Sequence, residues 1–364
     1  MRQLIAILID AYRDLNSRML FWITLAISGS VIMLLAMFGV DSEGLSFLHF
    51  HWHLAYLDPH LFYRAIFLSL IVIGIWLSWG AVILALISTA GLFPDLLASG
   101  AIDLYLSKPI SRPRLFIYKY FSGLLFVTLQ LTLFSVGCFL VVGLRTHEWR
   151  PTLLLALPFI LSLFSYIYAF CVLIGIWSRS TIAALLLTVL LWLAFSGLQR
   201  TEGILLFSRV GLERTIHRVE RDLQAAEADA KLPSRNILDL QPGLARKRAE
   251  SDRDQLVDLR GTYSWIAMFE NICRRIENVC PKTWETTNLL DRYLLPNEDT
   301  GADNDQPPAG PGFLGIDARD LRPAGIEVQQ RQRARPLSFV IGSSLACEAV
   351  VLLLAGWLFC RRDY

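Results

Sequence analysis

Long apolar runs alternate with short charged breaks along most of this chain. Six of the runs reach the roughly 20 residues that a membrane-spanning helix requires. They are Met19–Val40, Ala65–Phe93, Tyr120–Leu144, Leu153–Ser178, Thr181–Leu198 and Leu337–Cys360. Only Ser178-Arg179-Ser180 separates the fourth from the fifth, and Arg179 is the sole charge between Thr152 and Leu198. That stretch is too long for one span, so the pattern predicts a tight hairpin of two. Ahead of the first run, Leu4, Leu8, Tyr12, Leu15 and Met19 share one helical stripe, which Arg2, Asp10, Arg13, Asp14 and Arg18 avoid. Residues 1–18 therefore read as an amphipathic helix at the membrane surface, or else as the frayed start of the first span.

Residues 199–336 break the apolar rhythm. Leu212, Ile216, Val219, Leu223, Ala226 and Ala230 recur at alternating spacings of four and three, until Pro233 and then Pro242-Gly243 interrupt. A second series runs through Leu256, Leu259, Tyr263, Ile266, Cys273 and Cys280, with Glu270 breaking its register. Two heptad-like helices joined by a proline-bounded turn predict an antiparallel coiled hairpin. A helix over Leu205–Lys231 would be about 40 Å long. Trp284–Leu295 reads as one more amphipathic helix, and Pro296–Pro323, rich in acids, proline and glycine, as flexible linker. The expected fold is an all-α integral membrane protein. Its parts are the surface helix at 1–18, five spans within 19–198, the external hairpin and linker at 199–336, and a sixth span with its tail at 337–364.

Composition agrees. The 364 residues are 54% hydrophobic and only 18% charged, with a mean hydropathy of +0.46, a combination rare in soluble domains. The first run lacks a small-residue cleavage pattern and reads as a retained span. A net charge of +2 is too weak to suggest nucleic acid. Its distribution is more telling. Arg2, Arg13, Arg18, Lys108, Arg112, Arg114, Lys119, Arg179, Arg361 and Arg362 fall on one side of the alternating spans, against Arg64, Arg145 and Arg150 in the short loops of the other. The positive-inside rule then places both termini in the cytoplasm of a multi-pass plasma-membrane protein, with 199–336 outside.

The chain has no GxxxxGK[ST] phosphate loop, no GxSxG and no HExxH, so neither catalysis nor a cofactor is expected. The six cysteines form no CxxC pair. Cys273 and Cys280, seven residues apart on one helix, would stand roughly 10 Å apart. A disulfide needs Cα atoms within about 7 Å, so both read as buried seam positions.

Four sets of residues are candidates for function. The first is Phe93–Arg114, FPDLLASGAIDLYLSKPISRPR, which spends far more residues than a reversal of direction needs. Pro94 and Asp95 suit a helix start. Leu96, Leu97, Ile102, Leu104 and Leu106 supply apolar contact, and Gly100 allows a bend or a close approach. Pro109 ends the element and turns Lys108 toward extended geometry. Ser111 can cap the helix that follows, whose Arg112, Arg114 and Lys119 sit at headgroup level. With Asp103, this layout suggests a surface helix offered to a partner; an ordinary loop with basic anchors is the alternative.

The second is Glu348, twelfth of 24 residues in the last run, where an ionised acid costs a few kcal/mol. Gly342, Ser343, Ser344, Ala346 and Cys347 around it allow another helix to approach closely. It reads either as a residue of cargo passage or helix coupling, or as a protonated packing residue hydrogen-bonded to a neighbouring span, with Gln130 a candidate partner. The third is His49, His51 and His53, which would share one face of a strand and could bind copper or zinc. Phe50, Trp52 and Tyr56 interleave with them, so an interfacial aromatic belt is the competing reading and no metal is assigned. The fourth is the external hairpin, which could engage an extracytoplasmic partner, its symmetry mate, or neither.

The run GAIDLYLSKPISRPRLFIYKY resembles the signature of ABC-2 type transporter permeases, particularly the group resembling the permease of nitrous-oxide-reductase maturation. Leu106-Ser107-Lys108-Pro109-Ile110-Ser111-Arg112 and Lys119 match that signature, as does the aromatic-basic-basic-acid ending Phe359-Cys360-Arg361-Arg362-Asp363-Tyr364. The likeness covers roughly residues 1–200 and 337–364, and the external hairpin lies outside the family's common pattern. The resemblance implies a permease subunit that dimerises and pairs with a separate ABC ATPase docked on the Pro94–Leu106 helix. Asp95, Gly100, Asp103, Lys108, Pro109, Ser111 and Arg112 would form the ATPase-coupling segment. A non-transporting membrane scaffold, whose hairpin binds or passes force to external proteins, is the competing class.

Overall fold

The computed structural model of the chain describes residues 19–41, 44–47, 50–52, 74–98, 111–146, 149, 151–230, 241–294 and 316–361. Residues 1–18, expected as an amphipathic helix, lie outside that set. Among the described residues, five helical stretches are long and apolar enough to cross a membrane: Gly74–Leu97, Arg112–Leu144, Pro151–Ser178, Thr181–Asp229 and Leu337–Arg361. Trp22–Leu34 is a shorter apolar helix. The protein is thus a helical membrane protein. Its chain divides into two compact units, one of residues 1–196, 280–298 and 338–364, the other of 197–279 and 299–337.

In the first unit, α1 (Met19–Met37) covers most of the first run. Three short strands follow: β1 (Phe38–Asp41), β2 (Gly44–Phe47) and β3 (Phe50–Trp52). They form an antiparallel meander that departs from the all-helical expectation, with Phe38 opposite Phe47 and Ser46 opposite His51. After a π-helical stretch at 74–80 come α2 (Ala81–Thr89) and the short α3 (Pro94–Ala98). Within α2 the hydroxyls of Ser88 and Thr89 both turn back to the Ala85 carbonyl at 2.8 Å, which satisfies them inside an apolar bundle.

Helix α4 (Arg112–Thr146) begins well before the apolar run it contains. Hydropathy marks where lipid begins, whereas the backbone must already be hydrogen-bonded there, so the helix starts in the charged flank. A 3₁₀ turn at Pro151–Leu155 leads into α5 (Ala156–Ser178). Arg179 then takes a left-handed conformation, φ 53°, and caps α5 through its N–H to the Gly175 carbonyl. This is the predicted tight reversal, a left-handed cap of the kind that usually falls to glycine. The last helix of the unit is α10 (Leu337–Arg361).

Packing in this unit is aromatic. Tyr166, Tyr168, Phe93, Phe164 and Phe359 are among its largest fully buried side chains, and Trp79 stacks on Trp192 with ring centroids 4.5 Å apart. Helix α8 (Thr283–Leu294) also belongs here, packed against α5 and the 3₁₀ turn. Its sequence had suggested only an amphipathic helix of the external region.

Helix α6 (Thr181–Ala230) is continuous over 50 residues. The fifth apolar run ends at Leu198 but the helix does not, because isolated Gly197, Gly203 and Gly211 weaken a helix without ending it. Its residues from Gly197 onward join α7 (Gln241–Glu277) and α9 (Ala318–Arg333) in the second unit. Leu212, Ile216 and Val219 of α6 meet Leu256 and Leu259 of α7, as the two apolar series predicted.

The partner neither series disclosed is Ile316, fully buried in that same cluster, followed by α9. The stretch expected as linker to Pro323 is therefore helical from Ala318. Asp317 caps α9 through the Arg319 N–H, and the helix runs through Pro323. Ala324 and Val328 of α9 close a second cluster with Leu206 and Val210. Helix α7 ends at Glu277, so Cys280 lies beyond it. None of the six cysteines is in a disulfide, and Cys273 and Cys280 are each half-buried rather than buried seam residues.

Candidate functional site

Both described ends of the surface stretch are built into the membrane unit. At its start, Phe93, Leu96 and Leu97 are buried while Asp95 is exposed. The Phe93 ring lies 5.4 Å from Phe116 of α4 and 6.4 Å from Phe359 of α10, and Phe116 and Phe359 are 5.8 Å apart, so three elements share one aromatic cluster. Pro94 meets α5: a Cβ at Gly175 would stand 3.3 Å from the Pro94 ring. At the far end, Arg112 Nη1 donates to the Cys360 carbonyl at 3.4 Å, as a cation should at a helix C-terminus. Ser111 is exposed. Gly100, Asp103, Lys108 and Pro109 lie outside the described residues.

The same helices meet again at Glu348. Its carboxylate is buried, with Tyr120 Oη of α4 donating to Oε1 at 2.6 Å and Ser165 Oγ of α5 donating to Oε2 at 3.0 Å. The partners are therefore Tyr120 and Ser165, not Gln130. Gln130 is buried too, and its Oε1 has no hydrogen-bond partner among the described residues. Tyr120 stacks on Tyr168 at 5.3 Å and meets Phe121 edge-on at 5.9 Å, so rings hold the donor in place; Tyr168 in turn stacks on Phe164 at 5.2 Å. Two hydroxyl donors meet a group that would otherwise carry the full cost of burial.

One turn along α10, Ser344 Oγ accepts the backbone N–H of Lys282 at 2.9 Å and donates to the Val340 carbonyl. Lys282 is only 1% exposed, although it is a lysine at the foot of α8. Its ammonium lies 3.6 Å from the Phe339 ring centroid and 3.7 Å from Glu285 Oε2. A cation over an aromatic face with a carboxylate beside it is the chemistry that permits such burial. Nothing in the sequence singled out Tyr120, Ser165 or Lys282. The first two are polar residues within apolar runs, and Lys282 is a lone cation ahead of an amphipathic helix.

The second unit is held by charge as much as by its seams. Glu270, which broke the apolar register, is fully buried between Arg209 Nη1 at 2.6 Å and Arg274. Arg218 reaches both Asp317, at 3.3 Å, and Asp320. The Arg319 guanidinium beside Asp317 holds its carboxyl down at about 2. Arg214 and Arg331 hold Glu327 below the usual carboxylate range, and burial next to Glu202 and Glu277 pushes the Cys273 thiol up.

His51 lies on β3, while His49 and His53 fall outside the described residues. Among the described residues no three His, Cys, Asp or Glu side chains group as a metal site. No protein-family model, curated protein or solved structure matches the chain.

Proposed function

We propose that the chain is the permease subunit of an ATP-driven transporter of the ABC-2 type, working as an exporter in the plasma membrane with six spans and both termini cytoplasmic. A separate ABC ATPase docks on the stretch between Phe93 and Arg114, and two permease copies act together. One observation carries the reading: that stretch enters the bundle on Phe116 and Phe359 and leaves it with Arg112 on Cys360. A push on it reaches α4, α5 and α10 together, and these three helices are joined a second time at Glu348. The resemblance of LSKPISR and of the chain ending to that permease family points the same way.

The test is co-expression with the candidate ATPase and purification of the complex. The ATPase is expected to be retained, and Asp103→Ala and Lys108→Ala to lower its coupled activity without loss of the membrane protein. ATP hydrolysis indifferent to both changes would sink the coupling assignment. A scaffold would instead keep external partners and bring down no ATPase.

A further inference from the structure

Three short oxygen–oxygen contacts meet around Glu348, and the hydroxyls that make them carry only two protons. Tyr120 Oη lies 2.6 Å from Oε1. Ser165 Oγ lies 3.0 Å from Oε2 and 2.9 Å from the carbonyl of Ser162. A tyrosine or serine hydroxyl has one proton to donate, and a carbonyl or an ionised carboxylate has none. Tyr120 spends its proton on Oε1, since its other neighbour, the Ser165 carbonyl, is 3.4 Å away. When Glu348 is ionised, Ser165 must choose between Oε2 and Ser162, and one contact is left as two facing acceptors.

Among the described residues no other neighbour supplies the missing proton. The Ser344 hydroxyl already donates to the Val340 carbonyl while it accepts the Lys282 N–H. The titratable groups facing Glu348 are Tyr120 of α4, Tyr166 of α5 and its own neighbour Cys347 on α10. Tyr166 is fully buried, and its hydroxyl makes no hydrogen bond among the described residues. The Lys282 ammonium, beyond the Ser344 turn, is engaged by the Phe339 ring and Glu285. Among the described residues no lysine or arginine forms an ion pair with Glu348. An ionised carboxylate buried in a helical bundle without a cation is the costly form.

One proton on Oε2 closes the count. The carboxyl O–H then donates to Ser165 Oγ, the Ser165 O–H donates to the Ser162 carbonyl, and Tyr120 still donates to Oε1. All three contacts become hydrogen bonds without any heavy atom moving. We infer that Glu348 is a proton-binding site of the membrane unit, in which Tyr120 and Ser165 hold the carboxyl in its neutral form. Release of the proton needs only a turn of the Ser165 hydroxyl from Ser162 to Oε2, where it donates to the carboxylate left behind. The assignment does not rest on the transport reading, since a scaffold with these residues would hold the same proton. Within that reading it explains why Glu348→Gln should fold yet impair export. The amide reproduces the bonds to Tyr120 and Ser165 but has no proton to release.

The test is infrared spectroscopy on the purified full chain at neutral pH, with isotope-labelled glutamate carboxyls to separate them from aspartate. The parent is expected to show the carbonyl stretch of a protonated carboxyl shielded from water. Glu348→Gln is expected to lack that band while keeping the parent's thermal midpoint. Ser165→Ala removes the acceptor of the carboxyl proton and is expected to move the band to higher frequency. Absence of the band from the parent would overturn the inference, as would a band that persists in Glu348→Gln or ignores Ser165→Ala. Should the glutamine variant fail to fold, the response to Ser165→Ala alone decides.

Discussion

Tyr120 Oη and Glu348 Oε1 lie 2.6 Å apart although 228 residues separate them in the chain. The contact joins a helix leaving the surface stretch to the helix ending the chain, and Ser165 on a third helix completes it. Removing the donor should expose the cost of the burial. Tyr120→Phe is expected to destabilise the protein by about 1–3 kcal/mol, read from its thermal midpoint in detergent. Glu348→Gln is expected to insert and express normally yet impair transport. Unchanged export by that variant would remove Glu348 from the mechanism.

Gly123 tests how tightly that site is packed. A Cβ there would stand 2.5 Å from Tyr168 Oη, and Tyr168 is buried and stacked with both Tyr120 and Phe164. Gly123→Ala is expected to cost about 1–3 kcal/mol by overpacking. Gly197→Ala, whose Cβ would meet nothing within 4 Å, is expected to be neutral or mildly stabilising in the same melt.

Glu270 is the corresponding point in the second unit. Glu270→Ala takes the buried acceptor away from Arg209 and Arg274, whose side chains are part-exposed, and is expected to cost about 1–3 kcal/mol. The double variant Glu270→Leu with Arg209→Met should recover much of that loss. A double variant no better than the single one would mean that the ion pair is not the source of the cost.

Acid should weaken the second unit through Asp317. Its carboxyl is held at about 2 when folded, below its unfolded value, so the stabilisation is present above roughly pH 4 and is lost as pH falls toward 2. Solvent screening of this part-exposed pair keeps the loss to about 1 kcal/mol. Asp317→Asn keeps a capping side chain and should flatten stability across that window. A variant whose acid transition matches the parent would contradict the assignment.

Hydropathy and spacing alone read out the apolar helices, the reversal at Arg179 and the Leu212–Ile216–Val219 seam against Leu256 and Leu259. Each of those is a local property of the side chains involved. What stayed hidden depends on partners distant in the chain. The register fault at Glu270 makes sense only beside Arg209, and the helix from Ala318 only beside Ile316, which joins the seam of α6 and α7. The sequence offers Gln130 as a polar partner for Glu348, but Tyr120 and Ser165 reach it because helix packing, not polarity, selects neighbours. The end of a lipid-facing run likewise says nothing about the end of a helix, as α6 shows.

The two anchors of the stretch between Phe93 and Arg112 have a consequence for how such a protein can change. Its ends are already held together, by the Phe93–Phe116–Phe359 cluster on one side and Arg112 on Cys360 on the other. Chain inserted between closed ends costs little, about 0.6 kcal/mol for each doubling of length. On the transport reading proposed above, the stretch is an exchangeable cassette: its sequence and length are free to drift toward a new partner while the bundle that holds its ends keeps its shape.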